Sequence, residues 1–295
     1  MYDIETYYQA TDVADAVRAL RADGNAIVIS GGSDVLIQIR EGRLAGCSLV
    51  SIHGLPELTG VEETPEGEVV IGAATAFSHI TADPIIQRTL PMLGYAVDQV
   101  GGPQIRNIGT IGGNVCNGVT SADSASSLWA YNATLELVGG DGARRVPIRE
   151  FYTGAGKTVR RHDEILTTIR VARADYEGFG GCYIKYGKRD AMEIATLGCA
   201  ALVRLTPDKR AVDALRLAYG VAGPTPLRCT ATEAAVQGAA LDEALLTRIA
   251  EGALAEVKPR SSWRASREFR LQLVSELAQR AVRQAIHNAG GEIHV

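Results

Sequence analysis

Ile27-Val28-Ile29-Ser30-Gly31-Gly32-Ser33-Asp34 runs from an apolar segment of strand composition straight into two glycines and two small polar residues. Past a buried strand, glycines leave backbone N–H groups bare, so an anion can approach without meeting a Cβ. Ser33 adds a hydroxyl donor. By itself a Gly-Gly pair is equally an ordinary tight turn that needs positive φ. A second element shifts the balance. Gly109-Thr110-Ile111-Gly112-Gly113-Asn114, followed by Asn117 and Asp123, alternates glycine with small polar residues, and no charge lies between Arg106 and Asp123. Two polar glycine turns, each behind apolar sequence, suit a cleft for a long cofactor that contains a pyrophosphate. The commoner phosphate motifs fail. Gly154-Ala155-Gly156-Lys157-Thr158 has Phe151 where a P-loop needs glycine, and no G-x-G-x-x-G follows an apolar strand.

Outward from these turns, Val13, Ala16, Val17 and Leu20 recur at helical spacing behind Thr11 and Asp12, which predicts an amphipathic helix over 12–23. Residues 26–29 then read as a strand, with strands also expected at 48–52 and 68–75. A helical region over 80–100 is interrupted by Pro84 and Pro91. Residues 123–131 read as a helix, and 134–138, 146–148 and 164–171 as further strands. The composition shifts at 173–181, and a second unit follows. It holds three strands (182–186, 196–205 and 214–221) and then helices over 242–257 and 262–289. Strands first and helices after predict an α+β layer, one antiparallel sheet covered by helices.

Lys plus Arg number 30 and Asp plus Glu 34, a net charge of −4 that lacks the basic excess nucleic-acid binding needs. With 46% hydrophobic residues the chain is globular, and its length suggests two domains. The opening MYDIETYYQATD has neither a basic n-region nor an apolar h-region, and the longest uncharged stretch, 107–122, is too polar to span a bilayer, so a cytoplasmic location away from membranes is expected. The five cysteines, Cys47, Cys116, Cys182, Cys199 and Cys229, are odd in number and contain no C-x-x-C pair. They read as buried reduced thiols rather than a disulfide framework, a zinc site or an iron–sulfur centre. The five histidines show no H-x-x-x-H spacing, so neither a metal ligand nor a catalytic side chain is assigned.

Three stretches carry a resemblance: SGGSDVLIQIR (30–40), GPQIRNIGTIGGNVCNGVTSADSAS (102–126) and KPRSSWRASREFR (258–270). They closely resemble the FAD-binding, medium subunits of the molybdenum hydroxylases, in particular those of bacterial xanthine dehydrogenases, and the resemblance runs over essentially the whole chain. It implies a two-part FAD-binding domain of the vanillyl-alcohol-oxidase (PCMH) type over 1–176, followed by an α+β domain of the carbon monoxide dehydrogenase flavoprotein type over 177–295. In that frame Ile27, Val28, Ile29, Ser30, Gly31, Gly32, Ser33 and Asp34 wrap the FAD pyrophosphate. Gly109, Thr110, Ile111, Gly112, Gly113 and Asn114 hold its other side and the ribityl chain, and Asn117 and Asp123 add polar contacts. Ile165 packs near the adenine, and Ile184 with Lys185 borders the isoalloxazine, where a cation would stabilise the negative charge of the reduced ring. The loop 187–194 is the expected nicotinamide approach.

The implied partners are a [2Fe-2S] subunit and a molybdopterin-binding large subunit, with NAD as acceptor, so that the complex converts xanthine, NAD and water to urate and NADH. A four-cysteine insertion that holds an extra cluster in some members is absent from this sequence. Three other readings stay open: an FAD subunit of a related hydroxylase acting on another N-heterocycle or aldehyde, a self-sufficient flavin oxidoreductase of the same fold, and a flavin-free scaffold. Trp263, Arg264, Arg267, Phe269 and Arg270 read as the amphipathic start of the last helix, suited to partner contact or to core packing.

Overall fold

The computed structural model describes residues 2–294. Its first layer is a parallel sheet of β1 (Ile4–Gln9), β2 (Ala26–Ile29) and β3 (Cys47–Ser51) in the order β1-β3-β2. Between β1 and β2 runs α1 (Val13–Ala22), capped by Asp12, whose side chain accepts from the Asp15 N–H at 2.7 Å. Val13, Ala16, Val17 and Leu20 are buried on it, as their spacing predicts. The Ser30–Asp34 loop leads into α2 (Val35–Arg40) and then β3. Strand β1 escaped the sequence reading because it is an edge strand with almost every residue exposed, so it carries no apolar alternation.

The second layer is an antiparallel sheet. Its strands β4 (Val61–Glu63), β5 (Val69–Gly72), β6 (Thr134–Gly139) and β7 (Gly142–Pro147) are joined by β10 (Ile165–Val171), in the order β4-β5-β10-β6-β7. The small hairpin of β8 (Tyr152–Gly154) and β9 (Lys157–Thr158) precedes β10. Between β5 and β6 lie α3 (Phe77–Ala82), α4 (Pro84–Thr89), α5 (Pro91–Asp98), α6 (Pro103–Ile108), α7 (Ile111–Cys116) and α8 (Asp123–Ala130), and α9 (Ile148–Phe151) follows β7. Each expected proline interruption is a helix start: Pro84 and Pro91 open α4 and α5, where a missing N–H costs nothing. The glycine-rich stretch expected as turns instead holds two short helices, α6 and α7.

The third sheet is an antiparallel meander of β11 (Phe179–Tyr186), β12 (Leu197–Leu205), β13 (Val212–Gly220) and the short β14 (Leu227–Arg228), followed by α10 (Thr230–Ala235), α11 (Glu243–Glu256) and α12 (Arg267–Asn288). Helix α12 lies on one face, where Val274, Leu277, Ala278, Ala281 and Val282 pack against Cys199, Ala201 and Val203. The approach is close: a Cβ on Gly180 would stand 2.4 Å from the Ala285 carbonyl oxygen. Tyr183, Ala200, Leu202 and Ala218 point to the other face and share a core with α5 and α8. Covering on both faces explains why β12 reads as an unbroken apolar run. The α+β expectation holds, with one correction. The last helix begins at Arg267 under a Ser266 cap, so Trp263 and Arg264 precede it. Among the described residues no helix is long and apolar enough to cross a membrane.

Candidate cofactor site

A cleft of about 390 Å³ separates the parallel sheet from the five-stranded one, and the two glycine elements meet at it. The first follows β2. Gly32 sits at φ +71°, turning the chain so that the N–H groups of Gly31, Gly32, Ser33 and Asp34 donate to no acceptor among the described residues. Consecutive bare amides around a left-handed residue form an anion-binding concavity. The Ser30 hydroxyl beside them is buried and also lacks a partner. Gly31 is required by packing: a Cβ there would lie 1.9 Å from the Ile108 carbonyl oxygen, at the end of α6.

The second element works differently. Its N–H groups are spent on the protein: Ile111 donates to the Thr75 carbonyl at 3.1 Å, Gly112 to the Ala73 carbonyl at 2.8 Å and Gly113 to Thr110 Oγ1 at 3.2 Å. Gly112 lets α7 lie on the chain just past β5, since a Cβ would stand 2.6 Å from the Ala73 oxygen. This element therefore forms a wall built by close packing. Asn114 faces the cleft, with its Oδ1 accepting from Ser124 Oγ at 2.7 Å, which leaves the amide donor unused among the described residues.

Of the expected site residues, Ile27, Val28, Ser30, Gly31, Gly32, Ser33, Asp34, Gly109, Thr110, Gly112, Gly113, Asn114, Asn117 and Ile165 line the cleft together. Ile29 and Ile111 do not: their side chains are buried in the cores on either side. Asp123 and Lys185 lie outside the lining and pair with each other, Lys185 Nζ to Asp123 Oδ2 at 2.8 Å. Lys185 also donates to the Gln99 carbonyl at 2.8 Å, and the Tyr183 hydroxyl donates to Asp123 Oδ1 at 2.7 Å. Burial pushes the Asp123 carboxyl up, opposed by Lys185 and Tyr183. This network ties β11 to the start of α8 and the end of α5. Ile184 departs from expectation. Alternation along β11 turns it to the face opposite Lys185, into the core beneath α12.

Some cleft residues carried no recognisable signal. Arg160 is the one cation in the lining among the described residues, with Nη1 donating to the Glu164 carbonyl at 2.8 Å. Glu164 is fully buried. Its burial, which opposes ionisation, is outweighed by Arg144 at 2.7 and 2.9 Å and by the Arg161 N–H at 2.7 Å, which hold the carboxyl at about 2. Gln38, Gly156 and Cys116 also line the cleft. Arg160 to Asp163 is a charged run in front of β10 that no motif marks, and only the fold turns Arg160 toward the cleft. Cys47, Cys199 and Cys229 are buried as expected; Cys116 and Cys182 are half-buried, and Cys116 opens onto the cleft.

The model of the FAD binding domain in molybdopterin dehydrogenase matches residues 2–173, more than half of the chain, and that of the CO dehydrogenase flavoprotein C-terminal domain matches 182–285. The chain belongs to the molybdopterin dehydrogenase flavoproteins. Its cofactor is FAD. A xanthine dehydrogenase FAD-binding subunit of Escherichia coli O157:H7 is 44% identical to this flavoprotein over 293 residues, covering 99% of this chain and 100% of the relative. A carbon monoxide dehydrogenase medium chain of Hydrogenophaga pseudoflava is 31% identical over 281 residues, covering 95% and 96%. A solved structure of carbon monoxide dehydrogenase from Hydrogenophaga pseudoflava, lacking the Mo-pyranopterin moiety of its cofactor, superposes with a TM-score of 0.92 at 30% identity over 98% of this chain and 99% of that one. The flavoprotein is thus an oxidoreductase subunit of the molybdenum hydroxylase family, built on the two-part FAD-binding fold and the α+β C-terminal domain expected from its sequence.

Proposed function

We propose that this flavoprotein relays electrons in a xanthine dehydrogenase of the molybdenum hydroxylase type. It would take them from the [2Fe-2S] clusters of a partner subunit and pass them through FAD to NAD, in the cytoplasm. Xanthine would be hydroxylated to urate at a molybdopterin centre on a large partner subunit. The end-to-end match to a relative named for that role supports the assignment.

The observation that carries the cofactor site is the row of four uncommitted N–H groups at Gly31–Asp34 beside the orphaned Ser30 hydroxyl. A pyrophosphate fits that cradle, and a Cβ at Gly31 would push it off the end of α6. When bound, FAD supplies the exchange between one-electron and two-electron transfer. The chain's own residues hold and shield. The Gly31–Asp34 amides and Ser30 orient the diphosphate, and Thr110, Asn114 and Asn117 offer side-chain polar groups along the opposite wall. Ile165 provides an apolar surface, and Arg160 adds one positive charge. Lys185 acts from behind the wall as half of an ion pair, so its field at the flavin is that of a dipole pinned to Gln99 and Asp123. No side chain needs to act as acid or base.

The test is the visible spectrum of the purified subunit before and after anaerobic NADH, and after anaerobic xanthine. Flavin bands bleached by NADH and untouched by xanthine support the relay; bleaching by xanthine without partner subunits refutes it. A related hydroxylase of another N-heterocycle or aldehyde is the second reading, favoured by the match, over 96% of this chain, to a glyceraldehyde dehydrogenase medium chain of Sulfolobus acidocaldarius. Substrate oxidation by the assembled complex separates the two.

A further inference from the structure

Among the described residues Trp263 is the most exposed large hydrophobic side chain, 80% accessible. The exposure is not fraying. The buried Arg270 clamps the segment in front of α12, donating to the Arg260 carbonyl, to Ser262 Oγ at 2.8 Å and to the Thr196 carbonyl at 3.2 Å. Ser261 Oγ accepts from the Arg267 N–H at 2.9 Å. The indole is therefore held out into solvent by a rigid strap. Two cations flank it: the Arg264 guanidinium carbon lies 4.2 Å from the ring centroid and Lys188 Nζ 6.0 Å.

The strap Lys258–Arg267 carries Lys258, Arg260, Arg264 and Arg267 and no acid, in a chain of net charge −4. None of these four, nor Lys188, makes an ion pair among the described residues. The acids that neighbour these residues in sequence are Asp190, Glu193 and Glu268, and Glu193 already faces Arg189 at 3.7 Å. The patch also connects to the cleft. Lys188 belongs to the loop 187–194, where the Met192 N–H donates to the Gly101 carbonyl at 3.3 Å, and Gly101 stands just before α6, whose Ile105 lines the cleft.

A solvent-exposed aromatic ring with unpaired cations over it recognises a flat base joined to phosphates: the base stacks where a cation yields the ring, and the cations meet the anion. An acidic protein face would satisfy the cations and leave the indole unused. We infer that Trp263, Arg264 and Lys188 seat the adenosine-phosphate portion of the dinucleotide acceptor. This inference rests on the NAD reading above. Lys188, at the outer limit of contact with the ring, can give way to the base and turn its ammonium to a phosphate.

The experiment follows NADH-driven bleaching of the flavin in the FAD-loaded complex. For W263L, half-saturation should need about tenfold more NADH while the saturating rate stays as in the parent protein. R264Q should raise it less and flatten its dependence on salt. ADP-ribose should quench indole emission in the parent protein and not in W263L, where Trp129 remains. An unchanged NADH requirement in W263L, with the parent protein bleached normally, overturns the inference and leaves the acceptor reading standing. Failure of NADH to bleach the parent protein removes the acceptor reading. If W263L instead loses its partner subunits while ADP-ribose binding is unaltered, the strap is a protein contact and the inference is wrong.

Discussion

Gly31→Ala places a methyl group where the structure leaves no room. Its Cβ would stand 1.9 Å from the Ile108 oxygen, and an ordinary carbon–oxygen contact is about 3.3 Å, so the Ser30–Asp34 loop and the end of α6 must separate by roughly 1.4 Å. The obstacle is backbone on both sides, which cannot swing away as a long side chain would. A shift of that size takes at least two of the four bare N–H groups out of reach of a diphosphate. Each such bond to a charged acceptor is worth about 1.5 kcal/mol or more, so the loss is about 3 kcal/mol, roughly a hundredfold in the dissociation constant of FAD. The fold should survive with a stability cost of about 1–3 kcal/mol, the usual penalty for overpacking. The assay is titration of the cofactor-free protein with FAD, read by quenching of flavin fluorescence, with thermal melting as the check on folding. Gly24→Ala is the control, because a Cβ there meets nothing within 4 Å. A folded Gly31→Ala protein that binds FAD as tightly as the parent would refute both the close-packing argument and the placement of the diphosphate on this loop.

Three further outcomes are expected. Glu164 is held at about 2, below its ordinary value, so its contribution is present above about pH 4.5 and is lost as the pH falls toward 2. Glu164→Gln should cost about 1–2 kcal/mol at pH 7, a figure discounted because Arg144 and Arg161 are partly exposed, and should flatten the acid limb of a melting-temperature profile between pH 5 and 2; an unaltered limb contradicts this. Burial pushes the Cys116 thiol up to about 11, so at pH 8 it should react with a disulfide reagent about a hundredfold more slowly than a free thiol, and FAD should slow it further because the residue lines the cleft. Rapid labelling mapped to Cys116 would contradict that. Arg270→Leu strips donors from the Thr196 and Arg260 carbonyls and from Ser262, and should lower stability in urea by about 2–4 kcal/mol while leaving FAD affinity unchanged. A loss under 1 kcal/mol would show that the strap does not depend on the clamp.

Local pattern alone carried much of this molecule. The 3.6-residue spacing of Val13, Ala16, Val17 and Leu20, the prolines at 84 and 91, and the apolar run 196–205 each state their element, because periodicity and proline geometry act within a few residues. The two glycine elements also marked the cleft, since bare backbone beside buried strands is itself a local property. Their separate tasks were not legible. Gly31 and Gly112 look alike in sequence and both are pressed against backbone, at Ile108 and Ala73, yet the Gly31 amide stays unused beside the cleft while that of Gly112 is spent on Ala73, a difference set by contacts tens of residues away. Likewise β11 keeps Ile184 and Lys185 side by side in the chain and sends them to opposite faces, so only the sheet's position between α8 and α12 shows that Lys185 meets Asp123 while Ile184 enters the core beneath α12. Arg160 and Glu164 look like a charged flank until β10 is placed in the centre of its sheet. Sequence by itself determined the strongly periodic elements, the family and the cofactor, because these rest on short-range pattern and motif, whereas the exposed edge strand β1 and the short helices α6 and α7 carried no such pattern. Which donors remain free, which charges are paired and which indole is left in solvent were decided by tertiary structure, because hydrogen-bond and ion-pair partners are assigned by packing between segments far apart in the chain.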